Sequence, residues 1–444
     1  MAADWVDYLD SLAAFGMRPG LERVAALLAD LGHPERRFRA IHVVGTNGKS
    51  STTRYAAAVL GAHGLRSGAY LSPHITGYPE RVLIDGAPIA DHAFGAAVGE
   101  VRRGVTRLPA ELGETTQFEV LTVAAFLAMA GAGVEAAAVE AGLGGRLDAS
   151  NVLRAPVVVL TNIGLEHTEV LGATRELIFA EKAAVIAGGD AVFGDLDGLE
   201  PSAAARCAAA GARPHLLGRQ IVLRGRPDDF TVSLDDGAGT AVYDHLAVAT
   251  PAAYQVVNAA LAVAGAHYLL GDLKVERVRG GLRSVVVPGR LQIVRRDPLV
   301  VADGAHNPHG AAALTASLVG MDLPHPRVGV LATLADKDVD GMLRMLLPRL
   351  DAVVCTQTSE PRSLGAAELA ARVRRIGGEE ATTSPVSTGG GATPRGARAV
   401  TVVGDPRAAY VAGLRDAGAA GSVLVTGSLY LLEDLAAELA AGRG

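Results

Sequence analysis

Apolar and polar positions along this chain fall into blocks whose period changes. Between Gly20 and Gly32, Leu21, Val24, Leu27, Leu28 and Leu31 recur at three- and four-residue spacing, which predicts an amphipathic helix. From residue 41 the pattern shifts. Short runs that are apolar almost throughout, Ile41–Val44, Gly68–Leu71, Ala136–Glu140 and Val157–Thr161, alternate with helical stretches up to about residue 187. Strands without a polar face, separated by helices, predict a parallel sheet covered on both sides. Between 190 and 250 the segments Gln220–Leu223, Phe230–Leu234 and Ala241–Leu246 are divided by Asp-Gly and Pro-Asp turns. They predict a small antiparallel sheet attached to the first domain. A helix is expected over Ala252–Leu270. Val287-Pro288-Gly289-Arg290 is the expected linker, and beyond it the alternation restarts with strands Leu299–Ala302, Val328–Thr333, Ala352–Thr356, Ala399–Val403 and Ser422–Thr426. The expected organisation is therefore α/β in both parts, with a first domain over 1–288 and a second over 289–444. Gly377–Gly396, rich in Gly, Thr, Ser and Pro, predicts a surface loop.

Composition narrows the classes of function. Apolar residues make up 49 % of the chain, enough for sizeable cores, and a net charge of −6 gives no footprint for nucleic acid. The two cysteines, Cys207 and Cys355, match no metal or redox spacing, which points to a reducing compartment. The start, Met1-Ala2-Ala3-Asp4-Trp5, lacks the basic and apolar regions of a signal peptide. The longest largely apolar run, Val120–Val134, has about 15 residues, short of the ~20 that cross a bilayer, and predicts a buried helix. These features lead to the expectation of a cytoplasmic monomer that acts on small molecules, without nucleic acid or membrane.

Chemistry enters with the lysines, only four among forty-one basic residues. Where arginine is the usual cation, a retained lysine suggests a need for a compact ammonium or a free amine. Lys49 lies in Gly45-Thr46-Asn47-Gly48-Lys49-Ser50-Ser51, between an apolar strand and a predicted helix. Strand, glycine turn and helix N-terminus make a phosphate site in which N–H groups and the lysine face the anion and a Ser hydroxyl reaches Mg²⁺. Val43 stands where the commonest phosphate-loop pattern has its first glycine, so the loop is a shorter variant; an ordinary glycine turn is the alternative. Ligands gather at the carboxyl ends of parallel strands. There the sequence puts Ser72-Pro73-His74, then Glu140, then Thr161-Asn162 leading to His167. Ser72, Glu140 and His167 are candidates for one or two Mg²⁺ ions, with a Ser-Pro turn, a salt-bridged Glu and a capping His as the plainer readings. Lys182, on an amphipathic helix, reads as a surface residue on composition alone. Asp303-Gly304-Ala305-His306-Asn307-Pro308 follows the first predicted strand of the second domain and suits ribose, phosphate or carboxylate contacts, or a simple helix cap by Asn307.

Taken in order, these motifs resemble folylpolyglutamate synthase and bifunctional dihydrofolate synthase, of the Mur-ligase superfamily. They are Gly45–Ser51, Ser72-Pro73-His74 with Glu80-Arg81, Thr116-Gln117-Phe118-Glu119, Glu140–Asn151, His167 through Lys182, Pro288-Gly289-Arg290, Asp303–Pro308 and Asp336–Asp338. The resemblance implies a Mur-ligase central domain with a phosphate loop and a small antiparallel sheet, followed by a Rossmann-like ligase domain. It implies an ATP-dependent ligase that adds L-glutamate to a pteroate or folate carboxylate through an acyl phosphate. Gly45, Thr46, Asn47, Gly48, Lys49, Ser50 and Ser51 would hold the ATP phosphates. Asn258 would meet adenine, and Arg290 and Asp303 the nucleotide. Ser72, Glu140 and His167 would bind Mg²⁺ together with Lys182, carbamylated by CO₂. His306 would join Lys49 and Lys182 as a catalytic group, while His74, Arg81 and Phe118 would contact the pterin. Three departures stand out: Ser50 where the folate enzymes usually have Gly, the stretch Thr76-Gly77-Tyr78-Pro79, and Ala183-Ala184 after Lys182. A paralogue acting on a non-folate carboxylate, and a phosphate-loop switch acting on a partner, are the competing readings.

Overall fold

The structure is a computed structural model that describes residues 3–12, 18–235, 237, 239–383 and 399–441. It divides into two compact units, one of residues 1–249 and 255–286, the other of 250–254 and 287–444.

The first unit is built on an eight-stranded sheet. Its strands are β1 (Arg39–Val44), β2 (Ser67–Tyr70), β3 (Val82–Ile84), β4 (Ala87–Pro88), β5 (Ala136–Glu140), β6 (Val157–Asn162), β7 (Gly189–Asp195) and β8 (Ala212–Leu216). They lie in the order β4-β3-β2-β5-β1-β6-β7-β8. Neighbours from β2 to β8 run parallel, and β3 and β4 form an antiparallel edge. β1 is buried at every position after Arg39, and β5 at every position. That burial is why their sequences read as unbroken apolar runs. Helix Gln117–Gly131, apolar along most of its length, buries Phe126 in one core cluster with Tyr70 of β2 and Val139 of β5.

Two expectations need correction here. Residues 189–216 prolong the main sheet as strand, helix and strand, so only β9 (Ile221–Arg226), β10 (Asp229–Asp235) and β11 (Thr240–Leu246) make the antiparallel sheet. The second concerns the apolar run Val120–Val134, which a longer apolar helix exceeds. Helix Ala253–Leu270 is long and apolar enough to cross a membrane by length and composition, yet 67 % of it is buried inside the protein. A Cβ placed on its Gly265 would touch Val159 and Ile41, so this helix lies directly on β6 and β1.

The second unit holds a six-stranded sheet of β12 (Gln292–Arg296), β13 (Leu299–Asp303), β14 (Arg327–Leu331), β15 (Ala352–Cys355), β16 (Ala399–Val402) and β17 (Ser422–Thr426). The order is β12-β13-β17-β14-β15-β16, parallel except for the edge hairpin of β12 with β13. Apolar clusters cover both faces. Ala252 and Tyr254 belong to one of them, which is why 250–254 group with this unit and not with the residues around them. The loop expected over Gly377–Gly396 is corrected at its start, where helix Ala366–Thr383 runs on through Gly377 and Gly378; 384–396 lie outside the described residues. Each unit buries one free cysteine, Cys207 in the first and Cys355 in the second.

Candidate active site

The strand order alone gathers the chemistry of the first unit. β2, β5, β1 and β6 are consecutive neighbours, with Val43 paired to Glu140 and Val44 to Leu160. Their carboxyl ends therefore lie side by side at about 4.8 Å per strand, and bring Ser72, Glu140, the glycine loop and Asn162 into one row.

The loop is held from β6. Thr161 Oγ1 and Asn162 Nδ2 donate to the Asn47 carbonyl at 2.6 and 3.1 Å, and the Asn47 N–H donates to Asn162 Oδ1 at 3.0 Å. Gly45 has φ +148° and faces the Thr161 hydroxyl so closely that a Cβ would not fit. Gly48 has φ +84° and is the N-cap of helix Lys49–Ala62, with no side chain capping it. The first N–H groups of that helix thus remain available for an anion, as a phosphate site requires. Asn258 presses its amide oxygen on Gly48, and its Nδ2 donates to Gln255, which in turn donates to Ser51 Oγ at 3.1 Å. Asn258, expected toward adenine, is placed by these contacts on the loop itself. Lys49 Nζ folds back onto the carbonyls of Gly45 and Thr46 at 3.2 and 3.1 Å.

Glu140 is buried at the end of β5. Ser50 Oγ donates to its Oε1 at 2.9 Å and the Ser72 N–H to its Oε2 at 3.1 Å. A carboxylate and two hydroxyls beside a phosphate loop offer the few oxygen ligands that suit a hard cation which keeps several waters. The residues present fit Mg²⁺. Arg81 extends the row: its Nη1 donates to Ser72 Oγ at 3.3 Å and its Nε to His74 Nδ1 at 2.9 Å. Burial, aided by Arg81, lowers the pKa of His74 to about 4, so at neutral pH His74 is an uncharged acceptor. Its ring lies 4.7 Å from that of Tyr78. Phe118 sits 6.3 Å from the Tyr70 ring and closes over Gly142, just past Glu140.

Lys182 is buried, and its Nζ donates to the Gly45 carbonyl at 2.8 Å. Burial and then the positive charge of Lys49 lower its pKa to about 7, against the pull of Glu166 and Asp148. Glu166 stands 3.8 Å from His167 Nε2, and His167 itself has left-handed backbone at φ +52°. The surface reading of Lys182 does not hold. The roles of Thr161, Asn162, Gln255 and Glu166 are not visible in the sequence, since each acts on or through a group far away along the chain.

In the second unit Arg290, Asp303 and His306 lie together. Asp303 is buried and accepts from Tyr254 OH at 2.6 Å and from the N–H groups of Leu291 and Ala305, both at 2.8 Å. Burial raises its pKa although Arg290 pulls the other way. Its oxygens clamp its own unit, a use that the expected nucleotide contact did not include. His306 Nδ1 is 2.9 Å from the Gly304 carbonyl, and Asn307 caps helix Pro308–Val319 by accepting from the Gly310 N–H at 2.7 Å.

Comparison with known proteins adds to this geometry. The family profile described as Mur ligase middle domain matches residues 43–190, and that of Mur ligase, glutamate ligase domain, matches 289–429. The dihydrofolate synthase/folylpolyglutamate synthase of Mycobacterium tuberculosis is 37 % identical over 82 % of this chain and 80 % of its own. Among solved structures, E. coli FolC in complex with DHPP and ADP is 30 % identical, with a TM-score of 0.85 over 100 % of this chain and 98 % of that one. A bifunctional folylpolyglutamate synthase/dihydrofolate synthase with Mn, AMPPNP and L-glutamate bound is likewise 30 % identical, with a TM-score of 0.83 over 99 % and 98 %. By sequence and by fold alike, the chain belongs to the dihydrofolate synthase/folylpolyglutamate synthase family of Mur ligases.

Proposed function

We propose that this chain joins L-glutamate to the carboxylate of a pteroate or folate, in the cytoplasm, with conversion of ATP to ADP and phosphate. The carboxylate oxygen attacks the γ-phosphorus and ADP leaves; the glutamate amine then attacks the acyl carbon, phosphate leaves and the amine loses a proton. The observation that carries this reading is the juxtaposition of an uncapped helix N-terminus with the buried Glu140, held between Ser50 and Ser72. Gly45–Ser51 would cradle the phosphates, and Lys49 would leave the loop carbonyls to meet the transferring group. Mg²⁺, when bound, supplies charge neutralisation on that group. Ser72 and Glu140 would hold one ion, and Glu140 and His167 with a carbamylated Lys182 a second. His74, Arg81 and Phe118 would contact the pterin. The roles of Asn258, Arg290, Asp303 and His306 toward the nucleotide rest on the family resemblance.

The test is ADP release with dihydropteroate and with a reduced folate in turn, each with and without L-glutamate. Release that needs both partners is expected. Without it for either acceptor, a ligase acting on a non-folate carboxylate becomes the reading, and Thr76–Pro79 the segment to suspect.

A further inference from the structure

Arg54 plays no part in the motifs above. It lies four residues after Ser50 on helix Lys49–Ala62, hence on the same face and one turn along. Ser50 bonds Glu140, and Arg54 is within electrostatic reach of both Glu140 and Glu80. Both carboxylates already have other donors. Glu80 accepts from the N–H groups of Ile75 and Thr76, at 3.0 and 3.1 Å, and from the Thr76 hydroxyl. Glu140 accepts from Ser50 and Ser72. Among the described residues Arg54, half-buried, makes no hydrogen bond and no ion pair.

A guanidinium offers five N–H donors in a planar fork, and no nitrogen of Arg54 is among the buried polar atoms that lack a partner, so its donors are open to a ligand. A cation kept only to balance two acids would be expected to close on one of them in a bidentate pair. Arg54 instead stands one turn along from Ser50, within electrostatic reach of Glu140 and of Glu80 in the segment Ser72–Arg81, with its donors unspent. An anion that approached Glu140 from that segment would meet two carboxylates; of the two arginines nearby, Arg81 is already engaged by Ser72 and His74, and Arg54 is not. We infer that Arg54 binds the carboxylate of the acceptor substrate, forking onto its two oxygens, and so selects acceptors that carry a free acid. This assignment rests on the pteroate reading given above.

Equilibrium binding without turnover tests it, by pterin fluorescence in the presence of Mg²⁺ and AMPPNP. The probes are dihydropteroate and its carboxamide, which keeps the ring system and loses the charge. The native chain should prefer the acid. Arg54→Gln should weaken the acid roughly 10- to 100-fold while the affinities for the amide and for AMPPNP stay as they were. Arg54→Lys should retain part of the preference, because charge remains and the fork does not. Equal weakening of acid and amide by Arg54→Gln, or no change in either, would overturn the assignment in favour of a residue that only shapes the loop. A native chain that bound neither probe would overturn the pteroate reading itself, and this assignment with it.

Discussion

A buried lysine that donates to a glycine carbonyl is in place, at neutral pH, to exist as a free amine. With its pKa lowered to about 7, Lys182 is mostly ammonium below that value and mostly neutral above it. Only the neutral amine adds CO₂, so carbamylation should rise as pH increases through 7 and fall away in acid. We expect bicarbonate to activate the enzyme strongly at pH 8 and weakly at pH 6, with a carbamate signal in ¹³C NMR that Lys182→Ala lacks. A short carboxylic acid should restore part of the activity of that variant. Activation that kept climbing well past pH 8 without levelling off would argue that the amine keeps an ordinary pKa of about 10.4. The scarcity of lysine makes Lys49 legible in the sequence and marks Lys182 against a background of arginine, but the burial of Lys182 is not legible, and composition alone reads it as surface. Arg54 is illegible for the same reason: among so many arginines nothing marks it, and Glu80 and Glu140 are distant along the chain. Asp303 stands out in the sequence, but its clamp on Tyr254 and Leu291 does not, since a carboxylate at a strand end reads alike whether it faces a ligand or its own backbone.

At the scale of elements, helix Gln117–Gly131 shows how local rules place Phe118, the side chain proposed to contact the pterin. Thr116 and Glu119 form a capping box, and Glu119 also pairs with Arg23 at 2.8 Å in a nearly buried ion pair. The cap fixes the first turn, which presents Phe118. Thr116→Ala should cost about 1 kcal/mol of stability in urea unfolding, and should raise KM for the acceptor while KM for ATP changes little. Equal change in both would mean that the cap supports the whole site and not the aromatic platform. The parallel strands are legible because burial on both faces leaves an unbroken apolar run. The edges β3, β4 and β12 are not: they are short, partly exposed and paired in antiparallel hairpins. β7 and β8 are hidden by the Asp and Gly of their turns, which resemble the punctuation of the antiparallel sheet that follows.

For the whole molecule, the restart of strand–helix alternation after residue 290 makes two α/β parts visible in the sequence. The exchange of 250–254 is not visible, since helix Ala253–Leu270 carries its apolar pattern across that boundary without a break. The chain has a single tryptophan, Trp5, which packs against Phe94 and Tyr78 in the first unit. Its fluorescence therefore reports the unit that contains the phosphate loop. AMPPNP at 100 times its Kd should stabilise the fluorescence-detected transition by about 2.7 kcal/mol, and Lys49→Ala should abolish most of that gain. A transition that ignored the nucleotide would place its binding elsewhere.

The one buried cysteine per unit has a use that has nothing to do with catalysis. Burial raises the thiol pKa to about 11 for Cys207 and about 12 for Cys355, so at pH 7 both are protonated as well as enclosed. An alkylating reagent can reach either sulfur only while the surrounding core is open. Because the two lie in different units, the mass of each cysteine-containing peptide after timed alkylation becomes a separate clock for its own half of the chain. The native sequence thus comes with its probes of local opening already installed, one for each half.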